Sequence, residues 1–230
     1  KNGGFVNAHS HLDRANTSTL FNKQEQYKFL KEKWQLVDKV KTTSTKFDYL
    51  NRINKALLDQ IELGVTHVCS FIDVDSVVGE KAIIFALELS EEDRVKSRIK
   101  TFIATQTLKG VLDPNERELV KKYAQKAHII GSLPAADAGH EEEHLDTVML
   151  WAKEYNKRLH VHVDQLNTSK EKETELLARK TMQWGIEGQV TAIHSISLAC
   201  HPKHYRDDVY KMSRDAGLSF VSCPSAWIDH

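Results

Sequence analysis

Two histidines stand one residue apart in Gly4-Phe5-Val6-Asn7-Ala8-His9-Ser10-His11-Leu12-Asp13, where an apolar run gives out. In a strand, side chains at i and i+2 face the same way, so His9 and His11 can converge on one point at the strand's end. Imidazole is a common ligand for catalytic zinc and iron. Such a centre takes about three protein ligands and leaves a position open for water or substrate. Further histidines close later apolar runs: His162 in Leu159-His160-Val161-His162-Val163-Asp164, and His194 in Val190-Thr191-Ala192-Ile193-His194. A metal centre fed by separate strand ends is the chemistry these four residues predict. Of the others, His67, His128, His140, His144, His201, His204 and His230 read as hydrogen-bonded core or surface groups.

The elements that must hold such a centre follow from periodicity. Short apolar runs, rich in Val, Ile and Phe and punctuated by Gly or Asp, predict strands at 4–9, 66–74, 99–105, 128–133, 158–163, 190–194 and 218–222. Polar segments of helical period predict helices at 23–40, 46–63, 79–91, 115–127, 141–156, 170–184 and 204–216. Gly64 and Gly217 fall where helices need a C-terminal stop, and Asp113-Pro114-Asn115 reads as a helix start. Leu50, Ile53, Leu57, Leu58 and Ile61 form a stripe at helical spacing that belongs to the core. Strands alternating with helices imply right-handed parallel βαβ units. Two architectures accommodate seven of them: a doubly wound open sheet, or a (β/α)8 TIM-type barrel lacking its last unit. Only the barrel turns the ends of strands one, five and six toward one centre at the C-terminal rim. Strict alternation puts Phe5, Asn7, His9 and His11 on one face, with Val6 and Ala8 turned to helices. It also groups His160, His162 and Asp164, and sets His194 on the face of Ala192. The long insertion after the first strand carries two helices that can cover the site.

Composition narrows the partners. Lys and Arg number 32 and Asp and Glu number 32, so formal charge is zero. That leaves no basic footprint for nucleic acid or an anionic membrane surface. No apolar run approaches the ~20 residues that span a bilayer. Three scattered cysteines, Cys69, Cys200 and Cys223, argue against a disulfide framework and for a reducing, cytoplasmic location. The chain opens two residues before Gly3-Gly4 and stops at His230 just past a strand. It reads as a piece of a longer protein, residues 1–230 forming a single partial barrel domain.

Phe5-Val6-Asn7-Ala8-His9-Ser10-His11-Leu12-Asp13, His160-Val161-His162-Val163-Asp164-Gln165 and Thr191-Ala192-Ile193-His194-Ser195 together resemble the metal-dependent amidohydrolase superfamily. The resemblance is to its cytosine deaminase-like branch, which includes aminohydrolases acting on N-alkylated triazine rings. It extends through the insertion from Leu20-Phe21 to Trp34 and to Cys223-Pro224-Ser225-Ala226-Trp227-Ile228. It implies an amidohydrolase barrel whose last βα unit and flanking β-sandwich lie outside this chain. It implies one divalent metal ion, zinc or iron, on His9, His11 and His162, with His194 beside it polarising the attacking water or the tetrahedral intermediate. Gln106 matches a glutamine that contacts the substrate ring. The strand-four end, Ile129-Ile130-Gly131-Ser132-Leu133-Pro134, offers no lysine to bridge a second metal, so one metal is expected. The implied reaction is attack of metal-activated hydroxide on a ring carbon of a cyclic amidine, pyrimidine or triazine, with release of ammonia or an amine. The partner expected is a small heterocyclic substrate, bound by a monomer or within a homo-oligomer.

Two departures bear on catalysis. The aspartate that follows strand eight in the family lies beyond His230, and Gln165 stands where cytosine deaminases carry a proton-shuttling glutamate. Glutamine hydrogen-bonds but does not titrate near neutral pH. The substrate must then need no protonation at that ring nitrogen, or another donor must serve; Asp164 is a candidate. Asp13 and Asp73 are candidates for orienting the metal-binding histidines, and Phe71, Trp227 and Phe21 for lining a pocket. Two other functions fit the same residues: a catalytically silent barrel that binds a ligand or partner, and a lactone or phosphoester hydrolase.

Overall fold

Among the described residues, seven parallel strands follow one another in space in the order they occur in the chain. The computed structural model describes residues 3–17 and 29–228. The strands are β1 (Phe5–Ser10), β2 (Val65–Asp73), β3 (Lys100–Gln106), β4 (Ile130–Ser132), β5 (Leu159–Val163), β6 (Val190–His194) and β7 (Ser219–Val221). They pair as β1-β2-β3 and β4-β5-β6-β7, and a parallel bridge between Ala104 and Ile129 joins the two sets. A doubly wound sheet reverses its strand order at a switch point. Here the order never reverses.

The helices are α1 (Leu30–Thr43), α2 (Lys46–Glu62), α3 (Lys81–Glu91), α4 (Asp93–Lys96), α5 (Pro114–Lys126), α6 (Glu141–Tyr155), α7 (Glu173–Trp184), α8 (Lys203–Asp215) and α9 (Pro224–Ile228). Their ends are chemically marked. The Thr45 hydroxyl accepts from Asp48 N, while the Asp48 carboxylate accepts from Thr45 N at 2.7 Å, a reciprocal cap that starts α2. Asp113 accepts from the amides of Asn115 and Glu116 ahead of Pro114 in α5. Gly64 and Gly217 stop α2 and α8 with φ of 82° and 61°. Most boundaries agree with the periodicity to within three residues. The exceptions are segments too short to show a period: the 3-10 segments Leu12–Arg14, Pro134–Asp137 and Ile196–Cys200, and the single-turn helices α4 and α9. Of the expected helix at 23–40, residues 23–28 lie outside the described residues.

Strands β2 to β6 bury residues on both faces, whereas β1 and β7, at the two ends of the row, hold only exposed and half-buried residues. Tyr49, Ile53 and Leu57 of α2 join Val68, Ile72, Ile103, Val161 and Ala192 in the layer between sheet and helices. Cys69, Phe71, Ala104, Ile129 and Ile193 form a second, inner cluster. That inner cluster shows the sheet closing around itself. Strands β1 and β5 would stand ~19 Å apart in a flat sheet at about 4.8 Å per strand. Instead the ring centroids of His9 and His162 are 4.9 Å apart. The chain is therefore an α/β fold of parallel strands curled like a TIM-type barrel, and no pairing of β7 with β1 closes the ring among the described residues.

Candidate metal centre

The four histidines do meet. Ring centroids lie 4.9 Å apart for His9 and His11, 5.5 Å for His11 and His162, 5.4 Å for His9 and His194, and 5.3 Å for His162 and His194. One ligand atom from each of His9, His11 and His162 lies within 4.8 Å of the other two, and the same holds for His9, His194 and Cys223. Phe71 is fully buried beneath them, its ring centroid 4.8 Å from His9 and 4.5 Å from His162. It is the floor of the centre rather than the pocket wall expected. Phe21 lies outside the described residues, as does the side chain of Trp227.

Simple alternation does not account for this convergence. Along β1 the pairing register with β2 slips between Phe5 and Val6 and again between Asn7 and Ser10. Asn7 turns away from His9 and donates to Gln60 of α2 at 2.8 Å. Val6 and Ala8 are not under helices but line a cavity at the opposite end of the strands, with Cys69 and His160. Along β6, Ala192 faces the helices and Ile193 the inner cluster. His194 reaches the centre because its φ of 77° breaks the alternation that would have left it beside Ala192. Asp164 also has a positive φ, 50°, and leaves the histidine face. Its carboxylate caps α7, accepting from Glu173 N at 2.7 Å and Thr174 N at 3.1 Å, so it is no proton donor to the site.

Burial favours the neutral form of His9, His11 and His162. Desolvation, then the proximity of His194, His160 and Arg14, lowers the His9 pKa to about 3. Burial and neighbouring charges hold His11 and His162 well below the ordinary range as well. His162 Nδ1 sits 3.2 Å from the Ser132 carbonyl. A carbonyl only accepts, so Nδ1 carries the proton and Nε2 the lone pair. That Nε2 is buried without a hydrogen-bond partner, as are Nδ1 of His9 and Nδ1 of His11. An unsatisfied buried polar atom costs about 1–3 kcal/mol, and a cation removes the penalty. Three neutral nitrogens fit a divalent metal. Neither Asp13 nor Asp73 orients a histidine. Asp13 accepts from Asp73 N at 2.9 Å, and burial and the Asp73 charge push its carboxyl up to about 7. Asp73 takes Arg14 Nε at 2.9 Å and Lys41 at 3.2 Å, which outweigh burial and hold it below the usual carboxylate range.

A cavity of about 210 Å³ opens onto the histidines. His11, His162, His194, Gln106 and Gln165 line its barrel side, and Trp34 and Val37 of α1 line the other. The insertion after β1 therefore covers the site. Lys41 of α1 is anchored to Asp73 and Asp75 at the end of β2. Gln106 is buried, and its Oε1 has no hydrogen-bond partner, which leaves an acceptor for a ligand. A wider surface hollow of about 790 Å³ beside the starts of α6 and α7 contains none of these residues.

Over all its residues the chain is 40% identical to an uncharacterized protein of Haemophilus influenzae, of which it covers 84%. It is 28% identical to the N-isopropylammelide isopropyl amidohydrolase of a Pseudomonas species, over 97% of this chain and 56% of that protein. In three dimensions it is similar to 5-methylcytosine deaminase from Klebsiella pneumoniae liganded with 5-fluorocytosine. That similarity has a TM-score of 0.88 and 24% identity over 96% of this chain and 54% of the deaminase. The likeness to the deaminase shows the fold: this chain adopts the same curled α/β arrangement of parallel strands. No family model matches it. It spans about half the length of the isopropylammelide hydrolase and of the deaminase.

Two residues of this centre, Cys223 and Trp34, were not among those the sequence pointed to as site residues. Cys223 follows the end of β7, and a strand end on the rim was the signal available for it. Burial raises its thiol to about 11, and a hydrogen bond with the His194 backbone draws it back. Trp34 carried no such signal, because its place depends on where α1 docks.

Proposed function

We propose that the full-length protein, through this partial barrel domain, is a cytoplasmic metal-dependent hydrolase. It breaks a carbon–nitrogen bond to an exocyclic amine on a pyrimidine- or triazine-like ring. The observation that carries this reading is the meeting of His9, His11 and His162, neutral and with buried nitrogens lacking partners. These three would hold one divalent cation, zinc or iron. A cation of that kind lowers the pKa of water toward neutrality and polarises the substrate as a Lewis acid. The remaining work falls to side chains. Gln106 Oε1 accepts an N–H of the ring and fixes its orientation. His194, on the cavity wall, holds a proton against charge developing at the attacked carbon. Gln165 donates its amide to a ring nitrogen or oxygen without titrating, which favours substrates that need no proton from this position. Trp34 and Val37 exclude bulk water. The names of the similar proteins support the ring class, since they denote a methylcytosine deaminase and an isopropylammelide hydrolase.

The test is a screen of the full-length protein against aminopyrimidines and N-alkylaminotriazines, with released amine and bound metal measured together. About one equivalent of metal and turnover lost on chelation are expected. Full turnover in a His9→Ala, His11→Ala double variant would refute the reading.

A further inference from the structure

His9 belongs to two ligand groups at once. One ligand atom of His9, of His194 and of Cys223 lies within 4.8 Å of the other two. Cys223 is free and half-buried on the inner side of the strands, packed against the cluster that contains Phe71 and Ile193. Its backbone is held between the end of β7 and α9, where Ala226 N donates to Cys223 O at 3.0 Å. The thiol itself is placed by a hydrogen bond with the His194 backbone and by packing against the inner cluster.

We propose that His9, His194 and Cys223 form a second cation site, selective for thiophilic zinc or cadmium, that competes with the His9–His11–His162 set through their shared His9. The donor chemistry differs between the two groups. Three imidazole nitrogens accept any borderline divalent ion, whereas a sulfur with two nitrogens prefers soft, tetrahedral d10 cations over iron or manganese. Metal–nitrogen and metal–sulfur bonds of about 2.0 and 2.3 Å set tetrahedral ligand separations of roughly 3.3–3.6 Å. The three atoms therefore need to draw in by no more than about 1.5 Å. An excess of a thiophilic ion captures His9 and strips one ligand from the catalytic set, so that zinc inhibits where iron or manganese does not. The inference takes from the proposed function only the position of His9.

The experiment is a cadmium titration of the full-length protein after chelator treatment, followed by the ultraviolet thiolate-to-cadmium charge-transfer band. The band is expected in the wild type, absent in Cys223→Ser, and retained in a Cys69→Ser, Cys200→Ser double variant. Cys69 is buried 3.9 Å from His160 and Cys200 is an exposed thiol outside the ligand group, so the double variant separates any band of theirs from that of Cys223. Manganese binding by Cys223→Ser shows that the variant is folded. No band in the wild type, or a band that persists in Cys223→Ser, overturns the proposal. Metal-independent turnover would refute the proposed function separately and leave the cadmium band unaffected.

Discussion

Replacing Gly131 with alanine tests the platform beneath the histidines. Gly131 lies in β4 against β3, and a Cβ there would sit 1.8 Å from the Thr105 carbonyl oxygen and 2.7 Å from two carbons of the Phe71 ring. Ordinary contact between such atoms is roughly 3.5 Å, so β4 must retreat from β3 by well over 1 Å. Two hydrogen bonds oppose that movement: Gly131 N donates to Thr105 Oγ1 at 3.0 Å, and Thr105 Oγ1 donates to Gly131 O at 3.3 Å. Overpacking costs about 1–3 kcal/mol and each lost hydrogen bond about 1 kcal/mol, a total of about 3–5 kcal/mol. The damage reaches the centre by two routes. Phe71 is pressed toward His9 and His162, and the Ser132 carbonyl that fixes the His162 tautomer moves with β4. Disturbed ligand orientation typically costs 10–100-fold in metal affinity. Urea denaturation of the full-length protein reads the first effect, and competition with a chromophoric chelator reads the second. A Gly131→Ala protein with wild-type midpoint and wild-type metal affinity would show that β4 does not support the centre.

Two further predictions concern protons. Gln165→Glu places a titratable carboxyl in the cavity beside His162 and His194, and cytosine deamination is expected to rise; an amine-release assay with cytosine that shows no gain contradicts the role given to this position. Burial, opposed by its hydrogen bond from Asp164 N and reinforced by the Asp164 charge, raises the Glu173 carboxyl from 4.5 to about 8. The folded state thus keeps a proton that the unfolded chain releases, so stability falls as pH rises from about 4.5 to about 8. Glu173→Gln is expected to flatten that decline in urea midpoints. A slope of the same sign remains from Asp13, whose carboxyl is raised to about 7. An unchanged slope would mean that Glu173 is ionised in the folded protein.

Local pattern carried the elements. The alternation in Leu159–Val163, the helical stripe through Ile53 and Leu57, and the Asp113-Pro114 start are properties of a few consecutive residues, and each appears in the fold where periodicity put it. The rings of His9 and His11 do lie together, but along a strand whose register slips between Asn7 and Ser10, so their spacing alone did not fix it. Side-chain direction at the functional ends was not local. Asn7 turns outward because β1 slips in register against β2, and His194 turns inward through a positive φ that a period-two reading cannot contain. Asp164 leaves the histidine face because the start of α7 offers it two amides. Cys223 and Trp34 join the centre only once the sheet has curled and α1 has docked over its rim. Curling sums small twists and registers over seven strands, and no stretch of sequence shorter than the whole sheet records that sum.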